Sequence, residues 1–440
     1  MIFFSPPAVV DYQEGPSGQQ VKLDFAGALS RAKAENPLLK AAKAVVDERK
    51  GLIKTVKADI YPNFTVTSDF SRVKDVSMLN SSFGESLTGG AGGDSPFPID
   101  LSALTAPRTY YSTNIGITQP LFYFGKISTA IKVAKMGESE SESALVTSEL
   151  NVLHGVAKAY LAVLSAKAEA EVIHSRKLAA EQFLRDVTAK LEVQSATKLD
   201  RLRAESELYA VLPDELQADA NLQRAKEALC GLLGLDPRTD LELSDMGLPP
   251  IHTNISASGE RSEITQLKIQ ENILKANDKI LRSDLLPKID LSAQYGYQAT
   301  KTENMFKQPY DPWRLTLSLR WPVFDGFRMS GRRAQNMAQL EQVKQARINQ
   351  ERNFAVEQQS AQRELAKARS YFEAAKKALD TGQEALRVSR ESFDQGLITS
   401  LDLLQAERTS HLLQSQMRRA ELGVWSAIFD YRRSLSLMPN

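Results

Sequence analysis

The sequence predicts an α+β chain built as a tandem duplication, with four strands and two long helical hairpins that reach closure only by symmetric association. Three observations predict it. Pro120 in Gln119-Pro-Leu-Phe-Tyr-Phe-Gly and Pro322 in Trp321-Pro-Val-Phe-Asp-Gly-Phe sit 202 residues apart, each ending an alternating stretch and opening a helical one. Thr197-Lys-Leu-Asp-Arg-Leu-Arg-Ala-Glu205 and Thr399-Ser-Leu-Asp-Leu-Leu-Gln-Ala-Glu407 match at the same offset of 202. Two segments of about 110 residues therefore keep register without net insertion, as packed coiled coils require and loops do not. Finally, the apolar period switches from 3.6 to 2 and back at corresponding places in both halves.

Composition narrows the function classes. With 440 residues there is ample material for a core. Charged residues make up 25% with a net charge of +1, so neither a basic surplus for nucleic acid nor an acidic tail is present. Cys230 is the single cysteine. It permits no internal disulfide and no zinc cluster, and in Leu229-Cys-Gly-Leu-Leu it reads as a small buried residue. No run of 18 apolar residues occurs, which excludes a helical span. The stretch Met1-Ile-Phe-Phe-Ser-Pro-Pro-Ala-Val-Val10 is a poor signal peptide, so the start is processed or misassigned, or the chain stays in the cytoplasm.

Residues 1–20, rich in Pro, Gly and Gln, are expected to form an extended arm. A helical pattern runs from Asp24 to Asp59, broken at Asn36-Pro37, where proline removes a donor. Its counterpart runs from Glu263 to Asp284. Both end in a proline motif, Asp59-Ile-Tyr-Pro62 and Asp284-Leu-Leu-Pro287, at an offset of 225.

After each of these prolines the alternation begins. Phe64, Val66 and Phe70 alternate with Thr65, Thr67 and Asp69; Ile289, Leu291, Ala293, Tyr295 and Tyr297 alternate with Asp290, Ser292, Gln294 and Gly296. A second strand follows in each half. Tyr111, Thr113, Ile115 and Ile117 form one; Trp313, Leu315, Leu317, Leu319 and Trp321, set against Arg314, Thr316, Ser318 and Arg320, form the other. Four amphipathic strands of about ten residues fit a half-buried sheet on a core. They fit equally a transmembrane barrel with aromatic girdles and a polar lumen, where Arg314 and Arg320 would face water. The connections at 73–108 and 300–311 read as loops. The glycine cluster Thr88-Gly-Gly-Ala-Gly-Gly93 lacks the Gly-Lys-Ser/Thr ending of a phosphate loop.

From Lys126 to about Val193 no proline interrupts a rod of about 100 Å, with a seam of Leu150, Leu153, Ala157, Tyr160 and Leu164. The second rod, Met329 to about Phe393, carries Phe354, Ala361, Leu365, Ala368, Phe372, Ala375, Leu379, Leu386 and Phe393. Alanine seams allow close approach but bury little, so these rods need neighbours along their length, while their Gln-, Glu-, Lys- and Arg-rich faces suit a water-filled lumen. Short turns at Ser195-Ala-Thr and Gly396-Leu-Ile-Thr-Ser lead into return helices from about Asp200 to Leu233 and from Asp402 to Leu437. The last carries Leu413, Met417, Ala420, Val424, Ala427 and Tyr431, and Pro213 should bend the first.

Four strands cannot close a barrel, open edges are not tolerated in lipid, and alanine seams cannot be satisfied by one chain. Symmetric association meets both deficits. Three copies give a twelve-stranded β-barrel continuous with a hollow α-helical coiled-coil barrel.

The chain resembles the TolC-like outer membrane efflux and secretion channel family. The resemblance rests on Asn36-Pro37-Leu, Tyr61-Pro62, Leu286-Pro287, Gln119-Pro-Leu-Phe, Trp321-Pro-Val-Phe-Asp-Gly and Gln395-Gly-Leu-Ile-Thr-Ser-Leu-Asp-Leu-Leu-Gln-Ala-Glu407, and covers residues 22 to 437. It implies a homotrimer in the outer membrane of a Gram-negative cell. A periplasmic tunnel would dock an adaptor (membrane fusion) protein joined to an inner-membrane pump. It implies no nucleic acid, metal or cofactor. The chain then divides into an arm (1–21), a first repeat (22–235, strands near 60–71 and 109–119, hairpin 126–235), a linker or equatorial segment (236–261), and a second repeat (262–440, strands near 286–299 and 312–321, hairpin 328–437).

Such a protein is a passive conduit, not an enzyme. Asp200 and Asp402 each lie three residues after a threonine, the spacing of a Thr-x-x-Asp capping box. Repeated about a three-fold axis, they would also form carboxylate rings at a periplasmic gate, with Gln405 standing where some members carry another acid. Gln395, Gly396 and Leu397 would form one adaptor-docking tip and Gln194 and Ser195 the other, although a glycine is usual at the latter. Tyr111, Trp313, Leu315, Leu317, Leu319 and Trp321 would face lipid. Arg328, Arg332 and Arg333 read as a solvated face or part of the lumen. His154, His174, His252 and His411 stand at no metal or triad spacing. Two competing classes are a soluble periplasmic or cytoplasmic coiled-coil scaffold with a non-membrane sheet, and a hydrolase using Asp200 or Asp402. The second lacks a base, nucleophile or metal set.

Overall fold

The computed structural model describes residues 21–73, 108–249, 260–299 and 313–439. The arm at 1–20, most of the connection at 73–108, that at 300–311 and His252 lie outside these residues. In chain order the elements are β1 (Val21–Leu23), α1 (Phe25–Glu35), α2 (Pro37–Ala58), β2 (Asn63–Val73), β3 (Arg108–Phe122), α3 (Lys126–Glu192), α4 (Lys198–Leu233), β4 (Leu241–Leu243), α5 (Ser262–Ser283), β5 (Lys288–Ala299), β6 (Trp313–Arg320), α6 (Arg328–Asp394) and α7 (Ser400–Ser434). Helix, two strands, long helix and return helix thus occur twice in the same order. Two compact units result, each drawing segments from both halves of the chain. The first holds Met1–Glu48, Glu138–Gln270 and Val343–Asn440, and the second holds Arg49–Gly137 and Glu271–Gln342.

The first unit is mainly helical. Its main core gathers Ala28, Ala32, Leu39, Val156, Ala157, Tyr160, Leu229, Cys230, Leu233, Leu241 and Phe429. The seam residues Leu150, Leu153, Ala157, Tyr160 and Leu164 are all buried. Cys230 is buried too, and burial pushes its thiol pKa up. Tyr160 donates to the Ser244 carbonyl at 2.6 Å and meets Phe25 edge-on at 5.4 Å. Asn36 links α1 and α2 to the end of α4. Its Oδ1 accepts from Leu38 N and Leu39 N, capping α2 with Pro37 at the first helical position, and its Nδ2 donates to the Leu232 carbonyl at 2.8 Å. Gly234 closes α4 in the left-handed region, where an added Cβ would stand 3.0 Å from the Glu35 carbonyl oxygen.

The segment read as a linker contains structure that the sequence did not announce. Leu241–Leu243 pairs in parallel with Val21–Leu23, joining the start of the chain to its middle. Each strand has three residues, too short for an alternation to stand out from chance. Pro213 lies inside α4, and the helix runs through it from Lys198 to Leu233.

The second unit contains the antiparallel sheet, in the order β2-β3-β5-β6. Its register aligns Phe64 with Ile117, Val66 with Ile115 and Phe70 with Tyr111. It aligns Ile115 with Tyr295 and Ile117 with Ala293, then Leu291 with Leu317, Ala293 with Leu315 and Tyr295 with Trp313. Because strand side chains alternate, these residues share one face, and Thr65, Asn114, Gln294 and Arg314 share the other. The apolar face is uncovered: Trp313 is 76% exposed, Leu315 62%, and Leu317 and Leu319 67%. Among the described residues no helix is long and apolar enough to cross a membrane.

Asn36→Ala removes both the cap and a side-chain donor to the half-buried Leu232 carbonyl. We expect a loss of about 2 kcal/mol, read as a drop of a few degrees in the thermal midpoint of the helical signal. Asn36→Asp, which keeps the cap acceptor, should recover part of it.

Candidate functional site: the paired helical turns

The two hairpin turns lie in the first unit and are built alike from different residues. In the first, Ser195 N donates to the Lys190 carbonyl at 2.7 Å and Gln194 N to Leu191 at 3.0 Å; in the second, Leu397 N donates to Ser392 at 2.8 Å and Gly396 N to Phe393 at 3.0 Å. Gln194 and Gly396 occupy the matching left-handed position, with φ of 58° and 73°. The missing glycine therefore leaves the turn geometry unchanged, and Gln194 carries the steric cost of an L-residue there. Gln194, Ser195, Gln395, Gly396 and Leu397 are all exposed.

Both Thr-x-x-Asp boxes form. Thr197 Oγ1 accepts from Asp200 N at 3.2 Å while Asp200 Oδ2 accepts from Thr197 N at 3.0 Å, and Thr399 and Asp402 do the same at 3.3 and 3.0 Å. The acids differ in surroundings. Asp200 is half-buried, and its Oδ1 accepts from Ser400 Oγ, in the other turn, at 2.6 Å. Asp402 is exposed, as is Gln405. The Ser400 hydroxyl, then the Thr197 side chain and amide, hold the Asp200 pKa below its ordinary 3.8; the Thr399 side chain and amide lower that of Asp402.

About two turns of helix further on lies a buried charge cluster that sequence reasoning missed. Glu207, 5% exposed, accepts from Arg176 at 2.8 Å on one oxygen and from Arg408 Nε at 3.0 Å on the other. Burial pushes this carboxyl up, but the two guanidinium groups outweigh it and its pKa is lowered. Glu407 beside it accepts from Arg390 at 3.2 Å, and burial raises its pKa. Glu207 and Arg408 lie 201 residues apart, so no local spacing marks them.

The remaining candidates fall elsewhere. Arg333 of α6 donates to Asp278 of α5 at 2.8 Å, a structural tie, while Arg328 and Arg332 are exposed. The histidines are not all isolated: His154 Nε2 lies 2.8 Å from Asp430, which also accepts from Lys158 at 2.8 Å, and His174 lies 3.4 Å from Glu215. These pairs span 276 and 41 residues, beyond what a one-dimensional search for metal spacing detects. Among the described residues no group of three or more His, Cys, Asp or Glu is placed to hold a metal. Of the girdle residues, Tyr111 is half-buried against Phe70 at 5.3 Å, and Trp321 is exposed with the leucines.

Two long hairpins with matched capped turns, joined to a sheet with one bare apolar face, define the fold of outer-membrane channel proteins. The solved structure of the outer membrane protein VceC from Vibrio cholerae has this fold, with a TM-score of 0.77 at 18% identity over 94% of this chain and 97% of that one. So does the Campylobacter jejuni CmeC outer membrane channel, with a TM-score of 0.78 at 14% identity over 94% and 85%. The pyoverdine export outer membrane protein OpmQ of Pseudomonas aeruginosa is 24% identical over 334 residues, 72% of this chain and 69% of its own. TolC of Vibrio cholerae is 21% identical over 352 residues, covering 76% and 78%. The chain belongs to the outer membrane efflux protein family, which matches residues 28–235 and 256–424.

Gln194→Gly relieves the left-handed strain and should stabilise the first turn by about 0.5–1 kcal/mol, read as slower hydrogen exchange at its amides. A second outcome concerns acid. The folded pKa of Asp200 lies below its unfolded value, so its contribution is complete above about pH 4 to 5 and is lost as pH falls through the folded pKa. In Asp200→Asn, turn protection followed by hydrogen exchange over about pH 3 to 6 should lose this acid limb.

Proposed function

We propose that the chain is the outer-membrane exit duct of a tripartite efflux pump or type I secretion system. Three copies close a twelve-stranded barrel, and the helical hairpins form a periplasmic tunnel that narrows at the paired turns. The observation that carries the proposal is the sheet: its register gathers the apolar side chains of four strands on one face and leaves that face bare. In water such a surface is a liability; against lipid tails it is what a spanning strand needs. The sheet order ends at β2 and β6, so the edges of neighbouring copies can pair and leave no open edge in the bilayer.

The residue roles follow from that reading. Trp313, Leu315, Leu317, Leu319, Trp321 and Tyr111 face lipid. Asp200, Asp402 and Gln405 line the narrowed periplasmic mouth, where three-fold repetition multiplies each carboxylate. Gln194, Ser195, Gln395, Gly396 and Leu397 offer the exposed surface for a periplasmic adaptor. Relatives support the role: their printed names include pyoverdine export, alkaline protease secretion and toluene efflux. No residue is assigned chemistry on the cargo, so transport is passive and its energy comes from the inner-membrane partner.

Two measurements test the proposal. Extracted in detergent, the protein should have three times the protomer mass of 48.8 kDa and should conduct ions in a planar bilayer. A monomer soluble without detergent would support the scaffold reading instead. Leu317→Arg separates the two at one residue. On a lipid-facing strand it should cost about 2–4 kcal/mol near the midplane and sharply lower the yield of membrane-inserted protein. On a solvated sheet, a side chain already so exposed should tolerate it.

A further inference from the structure

We propose that Lys132, Lys275 and Lys279, with Thr129 and Asn272, form a groove that binds a phosphate group, the headgroup of an anionic phospholipid at the periplasmic rim of the barrel. The lipid as the source rests on the outer-membrane reading above; the phosphate chemistry rests on the groove alone.

The groove lies within the second unit, between the start of α3 and the end of α5, and has a volume of about 410 Å³. Lys126 donates to Asp284 at 2.6 Å and ties the two helices together at their sheet ends. Below that tie α3 contributes Thr129 and Lys132, and α5 contributes Asn272, Lys275 and Lys279. Among the described residues no acid lines the groove. Acids close by in sequence are engaged with other cations. Asp284 also accepts from Lys288 at 2.8 Å, and Asp278 accepts from Arg282 at 2.7 Å and Arg333 at 2.8 Å. Glu271 approaches Lys275 only to 4.0 Å, and Lys132 and Lys279 have no ion partner among the described residues.

The other half of the chain shows that this charge pattern is no by-product of the fold. At the offset of 225 that relates the proline motifs, Lys50 and Lys54 of α2 match Lys275 and Lys279, but Asp47 stands where Asn272 stands. At the offset of 202, the counterparts of Thr129 and Lys132 are Gly331 and Ala334. The half that keeps the acid lacks the third lysine and the hydroxyl, and the half that has them has lost the acid. Like charges four residues apart on one helix repel, as Lys275 and Lys279 do, and Lys132 across the groove adds to the repulsion. An anion bound among them turns that cost into attraction.

Donor chemistry and depth identify the anion. Three ammonium groups, a hydroxyl and a carboxamide act as separate point donors, with no planar fork for a flat carboxylate, and suit the tetrahedral oxygens of a phosphate. At about 1.5 Å per residue from the sheet-side helix ends, Lys279 lies about 6 Å down, Lys132 about 9 Å and Lys275 about 12 Å. The headgroup layer on one side of a hydrocarbon core is about 5–8 Å deep, and lysine stems extend to place their ammonium groups in it. Basic pockets between helices at a membrane surface hold acidic headgroups by this attraction.

Native mass spectrometry of the detergent-purified full chain tests this, with dioleoylphosphatidylglycerol set against dioleoylphosphatidylcholine. The anionic lipid should bind saturably, one per chain, and about tenfold more tightly than the zwitterionic one. N272D, which puts back the acid that α2 carries, should weaken it about fivefold, and K132Q/K275Q/K279Q should abolish the preference. K50Q/K54Q should leave binding unchanged, and all variants should stay trimeric and conduct. Inorganic phosphate as a competitor separates the two sources of the anion. Lipid that withstands millimolar phosphate supports the headgroup; displacement by phosphate, itself weakened by N272D, keeps the phosphate groove and overturns the lipid as its occupant. The inference is overturned outright if a trimeric, conducting protein binds the two lipids equally, or if N272D and the triple lysine variant bind phosphatidylglycerol as the wild type does. A wild-type chain that neither trimerises nor conducts removes the outer-membrane reading, and the lipid with it; phosphate binding weakened by N272D would still support the groove.

Discussion

Every feature of the sheet depends on register. Because strand side chains alternate with a period of two, a slip of one residue at any of three strand pairings would send half the apolar residues to the polar face. The chain keeps all three in step across segments as distant as Phe64 and Leu319, with Phe64–Ile117, Ile117–Ala293 and Ala293–Leu315 in one row. A solvated sheet has no need of such uniformity on a face that no helix covers. A sheet immersed in hydrocarbon does, since each polar side chain there costs free energy according to its depth. Arg314 and Arg320 lie on the other face, where water can solvate them.

The turns show the same economy with different residues. Helix ends leave amide and carbonyl groups without partners, and a hairpin leaves two such ends close together. Both turns solve this with a left-handed residue, two backbone bonds into the preceding helix, and a threonine–aspartate box on the following one. Geometry is shared although Gln194 occupies the place of Gly396. Backbone hydrogen bonding and capping thus fix the turn, and the residue with positive φ only modulates its stability.

Periodic features were legible in the chain, and single contacts between distant segments were not. The alternation from Trp313 marks a strand observed over Trp313–Arg320, and the rod read from Lys126 to about Val193 is observed as Lys126–Glu192. Thr197-x-x-Asp200 and Thr399-x-x-Asp402 announce caps because a cap is local. The β1–β4 pair was hidden because three residues carry no period. Glu207 and Arg408 were hidden because each is ordinary on a helix rich in charge, and only the packing of two hairpins makes one the buried partner of the other. His154 with Asp430 was hidden for the same reason. Asn36 was read as a helix break; its bond to Leu232 makes it a tie between the first helices and the return helix.

The matching helices α2 and α5 carry the argument one step further. α5 is tied on two sides: Gln266 donates to Thr147 of α3 at 2.8 Å, Arg333 of α6 reaches Asp278, and Asn336 of α6 donates to the Leu274 carbonyl at 3.0 Å. α2 occupies the corresponding place in the first half, yet Leu38, Val45 and Leu52 are exposed along it at intervals of seven residues. Seven-residue spacing on one helix makes a continuous apolar stripe, the pattern of a surface that packs on another helix. Leu202 on α4 is likewise exposed, whereas Leu404, its counterpart on α7 at the offset of 202, is buried. Apolar surface is thus left bare on helices and sheet alike: Leu38, Val45 and Leu52 on α2, Leu202 on α4, and Leu315, Leu317 and Leu319 on β6.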